Sequence, residues 1–204
     1  MKYRLAGLAG LAAIALTATA PAQTNDLARV SAHLKAVDTM IAAFAQTDQK
    51  GKILTGTLSI KRPGKIRFEY QKGVPFLIVG DGKALMFIDY QVRQVQRWPI
   101  TNTPLGILLD PTRDLSRVAK IMPQADPRFL IVETRDPKHP EYGVITLAFS
   151  KNDSAPGGLM LHGWVALDNR RNRTTIRLSE QQFNVPVSDK AFLWRDPRSK
   201  TRGH

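Results

Sequence analysis

GTLSIKRPGKIRFEY, residues 56–70, reads as two strands joined by a turn. Leu58 and Ile60 share one face of the first strand, and Ile66, Phe68 and Tyr70 share one face of the second. Thr57, Ser59, Lys61, Arg67 and Glu69 lie opposite. Successive side chains of an extended chain point to opposite sides, so this period of two marks strands with one buried face. Pro63-Gly64 supplies the turn between them.

The pattern continues downstream. PFLIV (75–79) and ALMFID (84–89) flank Gly80-Asp81-Gly82-Lys83 and read as a second hairpin, and VRQVQRW (92–98) as a further strand. Thr103 to Ile121 breaks the alternation and is expected to be helical. TPLGILLD (103–110) is strongly apolar, and Asp110 and Pro111 suit the N-cap and first turn of a helix carrying DLSRVAKIM (114–122). Strand patterning then resumes with RFLIVET, YGVITLAFS, LMLHGWVALD, TTIRLSEQQF and a short AFLWR (191–195). Upstream, Leu27, Val30, Leu34, Val37, Met40, Ile41 and Phe44 recur every three or four residues, which predicts one long amphipathic helix over about 25–46. These segments describe one mainly-β domain with helices, without a repeat or an internal linker.

The first 22 residues stand apart from that domain. Lys2 and Arg4 precede an apolar run from Leu5 to Leu16, and Ala20-Pro21-Ala22 offers a small-residue cleavage site, so 1–22 is expected to be a secretory signal peptide and 23–204 the exported domain. The apolar run is shorter than the ~20 residues needed to span a bilayer. The chain has 30 Lys+Arg against 17 Asp+Glu. Two of the basic residues and none of the acidic ones precede residue 23, which leaves a net charge of +11 on the remainder. For an exported protein that charge points to anionic lipid or an acidic protein surface rather than to nucleic acid. The chain has no cysteine, which excludes disulfides, thiolate metal sites and a lipid-modified N-terminal Cys.

Catalytic and metal-binding motifs are missing from the sequence. It has no G-x-S-x-G, H-E-x-x-H, P-loop or G-x-G-x-x-G, and His33, His139, His162 and His204 show no metal-pair spacing. No metal, cofactor or enzymatic activity is therefore expected. Arg62 stands out because it ends a strand directly before Pro63, which biases it to an extended backbone. Its guanidinium could point to the concave side and hold carbonyl oxygens of the 103–121 segment, or lie on the surface beside the turn.

Taken together, MIAAFAQ (40–46), GTLSIKRPGKIRFEY, LIVGDGKALMFID, TNTPLGILL and the later strands through Trp164, Asp168, Thr174 and Phe192 resemble the periplasmic outer-membrane lipoprotein carrier proteins, the LolA family, over essentially all of 25–195. The resemblance implies an incomplete, strongly curved antiparallel β-barrel with an apolar concave face, covered by a helical lid. It also places the family's lid-latching arginine at Arg62. Met40, Phe44, Leu58, Ile60, Ile66, Phe68, Leu105, Ile107 and Leu108 are then the expected acyl-chain cavity and lid residues. The implied role is that of a soluble, monomeric periplasmic carrier. Its cargo would be acylated lipoproteins, its donor an inner-membrane ABC transporter of the LolCDE type, and its acceptor a LolB-type outer-membrane receptor. The receptor shares this fold but needs an N-terminal Cys, which this chain lacks. The chain is more basic than the family pattern, and its tail after Trp194 is short. A carrier of fatty acids or glycolipids on the same scaffold, and a lipid-acting enzyme, are the alternatives.

Overall fold

A computed structural model describes residues 20–198 except 101, 102 and 104; the side chains of 20–24 and 107 also lie outside that description. The signal-peptide expectation therefore falls almost wholly outside the described residues. From Ala20 onward the chain runs α1 (Ala20–Ala36), β1 (Thr39–Thr47), β2 (Ile53–Lys61), β3 (Lys65–Tyr70), β4 (Phe76–Asp81), β5 (Ala84–Asp89) and β6 (Gln94–Pro99). It continues through α2 (Gly106–Leu109), β7 (Ala119–Met122), β8 (Phe129–Arg135), β9 (Val144–Lys151), β10 (Leu159–Leu167) and β11 (Arg173–Phe183).

All eleven strands form one antiparallel sheet in the order β6-β5-β4-β3-β2-β1-β11-β10-β9-β8-β7. Each half is a run of neighbouring strands, and the halves join where β1 pairs with β11, Thr47 opposite Thr175 and Met40 opposite Phe183. The sheet curls without closing, because β6 and β7 lie at its two ends. Irregular register at Ile41/Ala43 and Leu161/Gly163 helps it bend. At Gly163, with φ of 143°, a Cβ would run into the Ile176 carbonyl, so this close crossing needs glycine.

Side chains from α1 (Val30, Leu34), Val37 just after it, α2 (Leu108, Leu109) and the concave face of both halves meet in one large apolar core. A smaller cluster lies on the convex face, where Leu77, Val79, Ala84, Met86 and Ile88 are covered by Phe192 and its neighbours. Each apolar side chain buried in this way contributes about 1.5–3 kcal/mol, so both faces of β4 and β5 are held.

Three sequence expectations change. The predicted helix over 25–46 stops at Ala36, and 39–47 is strand β1, with Met40, Ala42 and Phe44 alternately buried. Met40 and Phe44 satisfy a helical spacing and a two-residue spacing alike, and pairing with β2 and β11 on both sides decides for strand. The helix stop itself comes from far away. Asn184 donates from Nδ2 to the Ala36 carbonyl (2.9 Å) and accepts from the Asp38 amide (2.9 Å).

The expected helical stretch 103–121 is only the four residues of α2, a 3-10 turn at Leu115–Arg117, and then strand β7. Asp110 closes α2, its N–H bonding the Gly106 carbonyl, whereas Asp114 caps the following turn by accepting from the Ser116 amide. AFLWR does not form a strand. Asp189–Phe192 is a 3-10 turn and the chain crosses the convex face, because Phe192 is drawn into the cluster there while Leu193 stays 70% exposed.

Candidate lipid-binding site and its latch

Arg62 lies just after β2 and ties three segments together. Its main-chain N–H donates to the Asp38 carbonyl (2.8 Å), its Nε to the Leu108 carbonyl (2.9 Å), and its Nη1 to the Val37 carbonyl. Two residues on, the Gly64 amide donates to the Leu109 carbonyl (3.0 Å). The last carbonyls of a helix lack intrahelical partners, so Arg62 and Gly64 supply what α2 cannot provide itself. Burial lowers the Arg62 pKa to about 10, against the opposing pull of Asp38, and the side chain remains cationic at neutral pH.

Beside it, His33 of α1 is 2% exposed. Its Nδ1 lies 2.7 Å from the Pro156 carbonyl, which can only accept, so the proton sits on Nδ1. The ring meets Phe149 and Phe183 edge-on, at centroid separations of 5.5 and 6.1 Å. Burial pushes its pKa down; the Pro156 carbonyl pulls it back, and the Arg62 charge adds to the lowering. Gly157, at φ 64°, lies so close to the His33 backbone that a Cβ there would overlap it. The loop at 152–158 thus closes over α1 as α2 closes over β2.

The expected cavity residues come together, but as a packed cluster. Met40, Phe44, Leu58, Ile60, Ile66, Phe68 and Leu108 are buried in one core, and Leu105 is partly buried against it. The Ile107 side chain lies outside the described residues. Phe44 packs edge-on against Phe68 and Tyr70, both at 5.2 Å, and Phe68 continues to Trp164 at 6.1 Å. Tyr70 donates to Gln46 Oε1 (2.7 Å), and burial raises its pKa despite that bond.

Past Phe44 and Tyr70 the concave face opens into a groove of about 260 Å³ lined by Leu54, Tyr70, Phe76, Ile78 and Phe87, with Asp48 and Lys52 at its rim. Small-molecule sites usually enclose ~300–1,000 Å³, so this groove as it stands is small for a long acyl chain. His33 was not singled out as a site residue from sequence. Its only signal is its position on the apolar stripe of α1, between Val30 and Val37, where a polar residue needs a partner.

The sequence profile described as "Outer membrane lipoprotein carrier protein LolA" matches residues 35–194. The chain belongs to the LolA family. Within the family it is similar to the outer-membrane lipoprotein carrier protein of Chromobacterium violaceum, with 32% identity over 196 residues covering 92% of this chain and 91% of that one. It also resembles the carrier protein of Coxiella burnetii, with 26% identity over 205 residues covering 95% and 94%. Among solved structures, a LolA superfamily protein from Nitrosomonas europaea aligns with a TM-score of 0.47 and 10% identity, over 84% of this chain and 97% of that one. LolA relatives are named as carriers, and lipoprotein carriage is the role the family supports for this chain.

Proposed function

We propose that this protein, exported by its first 22 residues, shelters the acyl chains of lipoproteins in the periplasm and passes them from the inner to the outer membrane. Moving such cargo through water is a problem of magnitude: at ~0.8 kcal/mol per buried CH₂, each long acyl chain is held by a bilayer with on the order of 10 kcal/mol. The carrier offers a comparable apolar surface, the concave face from Met40 and Phe44 through Phe68, beneath a lid of α1 and α2. Burial of this kind is non-directional and fits acyl chains of varied structure.

The observation that carries the reading is Arg62, bonded to both Val37 and Leu108 across the junction of lid and sheet. Those bonds exist only with the lid down. They stabilise the empty form, subtract from cargo affinity and keep delivery downhill. Loading is the work of an inner-membrane ABC transporter of the LolCDE type, and a LolB-type receptor accepts the cargo from a monomeric carrier.

Native mass spectrometry of protein recovered from its own periplasm tests this. Co-purifying triacylated or diacylated polypeptides are the expected result. A free fatty acid or glycolipid in their place would assign the scaffold to a different cargo.

A further inference from the structure

At the end of the sheet away from Arg62, hairpin turns stand side by side: 90–93, 71–75, 48–52 and 168–172. Their neighbourhood is fixed by the backbone. Tyr90 donates to the Pro75 carbonyl (2.8 Å), Gln71 to the Thr55 carbonyl (2.9 Å), and Thr47 pairs with both Ile53 and Thr175.

The acids and bases of these turns are sorted. Asp48 accepts from the Lys50 and Lys52 amides (2.8 and 2.9 Å), Asp89 from the Gln91 and Val92 amides (2.9 and 3.2 Å), and Asp168 from the Arg170 and Asn172 amides (2.9 and 2.8 Å). Each carboxylate is folded back into its own turn. Lys50, Lys52, Lys72, Arg93, Arg170 and Arg171 are exposed around them. None of these six is among the ion pairs of the described residues.

Apolar side chains stand among these cations. Ile53 is 61% exposed and Val92 is 64% exposed, with Tyr90 next to Val92 at 38%. The groove on the concave face opens here too, since Lys52 and Leu54 of the β1–β2 side and Phe87 of β5 line it together.

We propose that this row of turns docks on an anionic lipid bilayer, Ile53 and Val92 entering the headgroup region while the surrounding Lys and Arg side chains meet the lipid charges. Apolar tips ringed by unpaired cations suit an interface that is anionic at its surface and apolar just beneath. In this orientation the groove mouth faces the membrane. The docking does not depend on the carrier reading, because bare vesicles hold no lipoprotein.

The test is flotation of the exported, soluble protein, its N-terminus verified beyond the apolar stretch Leu5–Leu16, with phosphatidylcholine vesicles made with and without phosphatidylglycerol. Binding is expected only with the anionic lipid and should weaken with added salt. Lys50→Gln with Arg171→Gln should lower the partition coefficient by about fivefold per charge. Ile53→Ser with Val92→Ser should lower it without changing net charge. Lys83→Gln with Lys151→Gln, a charge-matched pair at the Arg62 end, should leave it as in the wild type. No binding to anionic vesicles, equal binding to both vesicle types, unchanged binding by either turn-end variant, or an equal loss in the control pair would each overturn the proposal.

Discussion

At the Arg62 end of the sheet, polar groups bond to partners remote in sequence: half-buried Arg62 to Leu108, buried His33 to Pro156, and exposed Asn184 to Ala36. At the opposite end Asp48, Asp89 and Asp168 bond amides two to four residues along, and their turns stand in solvent. A turn held by its own side chain keeps its shape whatever the rest of the molecule does. The Asp81 turn at the Arg62 end is held in the same way, by the Lys83 and Ala84 amides, but the bonds of Arg62 and His33 join α2 and the 152–158 loop to distant segments. In the proposed carrier, the Arg62 end is therefore the one that opens and the turn end is the frame against which it does so.

The largest test of this difference is Leu108→Ala. It removes a lid side chain that is 1% exposed and should cost about 2–5 kcal/mol in urea unfolding. The same variant should reduce binding of an environment-sensitive fluorophore that acyl chains displace. Wild-type stability would show that α2 is not part of the packed core.

Arg62→Leu comes next. Losing charge-assisted bonds to lid carbonyls is worth about 1.5–3 kcal/mol, which tightens apparent cargo binding by roughly ten- to a hundredfold if the closed form dominates. The variant should load and then release poorly. Equal release to acceptor vesicles by variant and wild type, matched for loading, would reject the latch while leaving the carrier role intact.

A smaller effect depends on pH. Burial holds folded His33 below its ordinary 6.5, so the unfolded chain takes up the proton first as pH falls. Stability from this residue is complete above pH 6.5 and declines below it. Denaturation midpoints of the wild type should therefore fall between neutral and mildly acidic buffer, and His33→Gln should flatten that dependence. An identical slope in the variant would place the titration elsewhere.

Smallest is Asp48→Ala, which gives up two turn bonds and should cost about 0.5–1.5 kcal/mol. Hydrogen exchange should quicken at 48–52 alone. Faster exchange in α1 as well would mean that the two ends are coupled, and would undo the contrast.

The same division explains what could be read from the sequence. β2 to β5 were legible because their alternation and their turns, Pro63-Gly64 and Gly80 to Lys83, are local. β1 was misread as helix because residues that fit either period are sorted by strands β2 and β11, and because Asn184 ends α1 from 148 positions away. The 110–122 stretch was misread for a related reason: Ala119 to Met122 become strand through pairing with β8. AFLWR carries a strand composition but answers to the convex cluster that receives Phe192. At the site, spacing alone left Arg62 either facing the lid or lying on the surface, and family resemblance favoured the lid. The bond from His33 to Pro156, across 123 residues, had no local trace.

An open sheet keeps two unsatisfied rims, and here both are unsuited to templating a neighbour. β6 ends in Arg97, the exposed Trp98 and Pro99, and β7 is four residues long with exposed Lys120 inside it and Pro123 just after. Proline removes a donor from an edge, and a lysine or arginine resists burial against another chain. A curled sheet with permissive rims would add molecule to molecule into a filament. These residues allow the barrel to remain unclosed, and so able to gape, without becoming a seed for polymerisation.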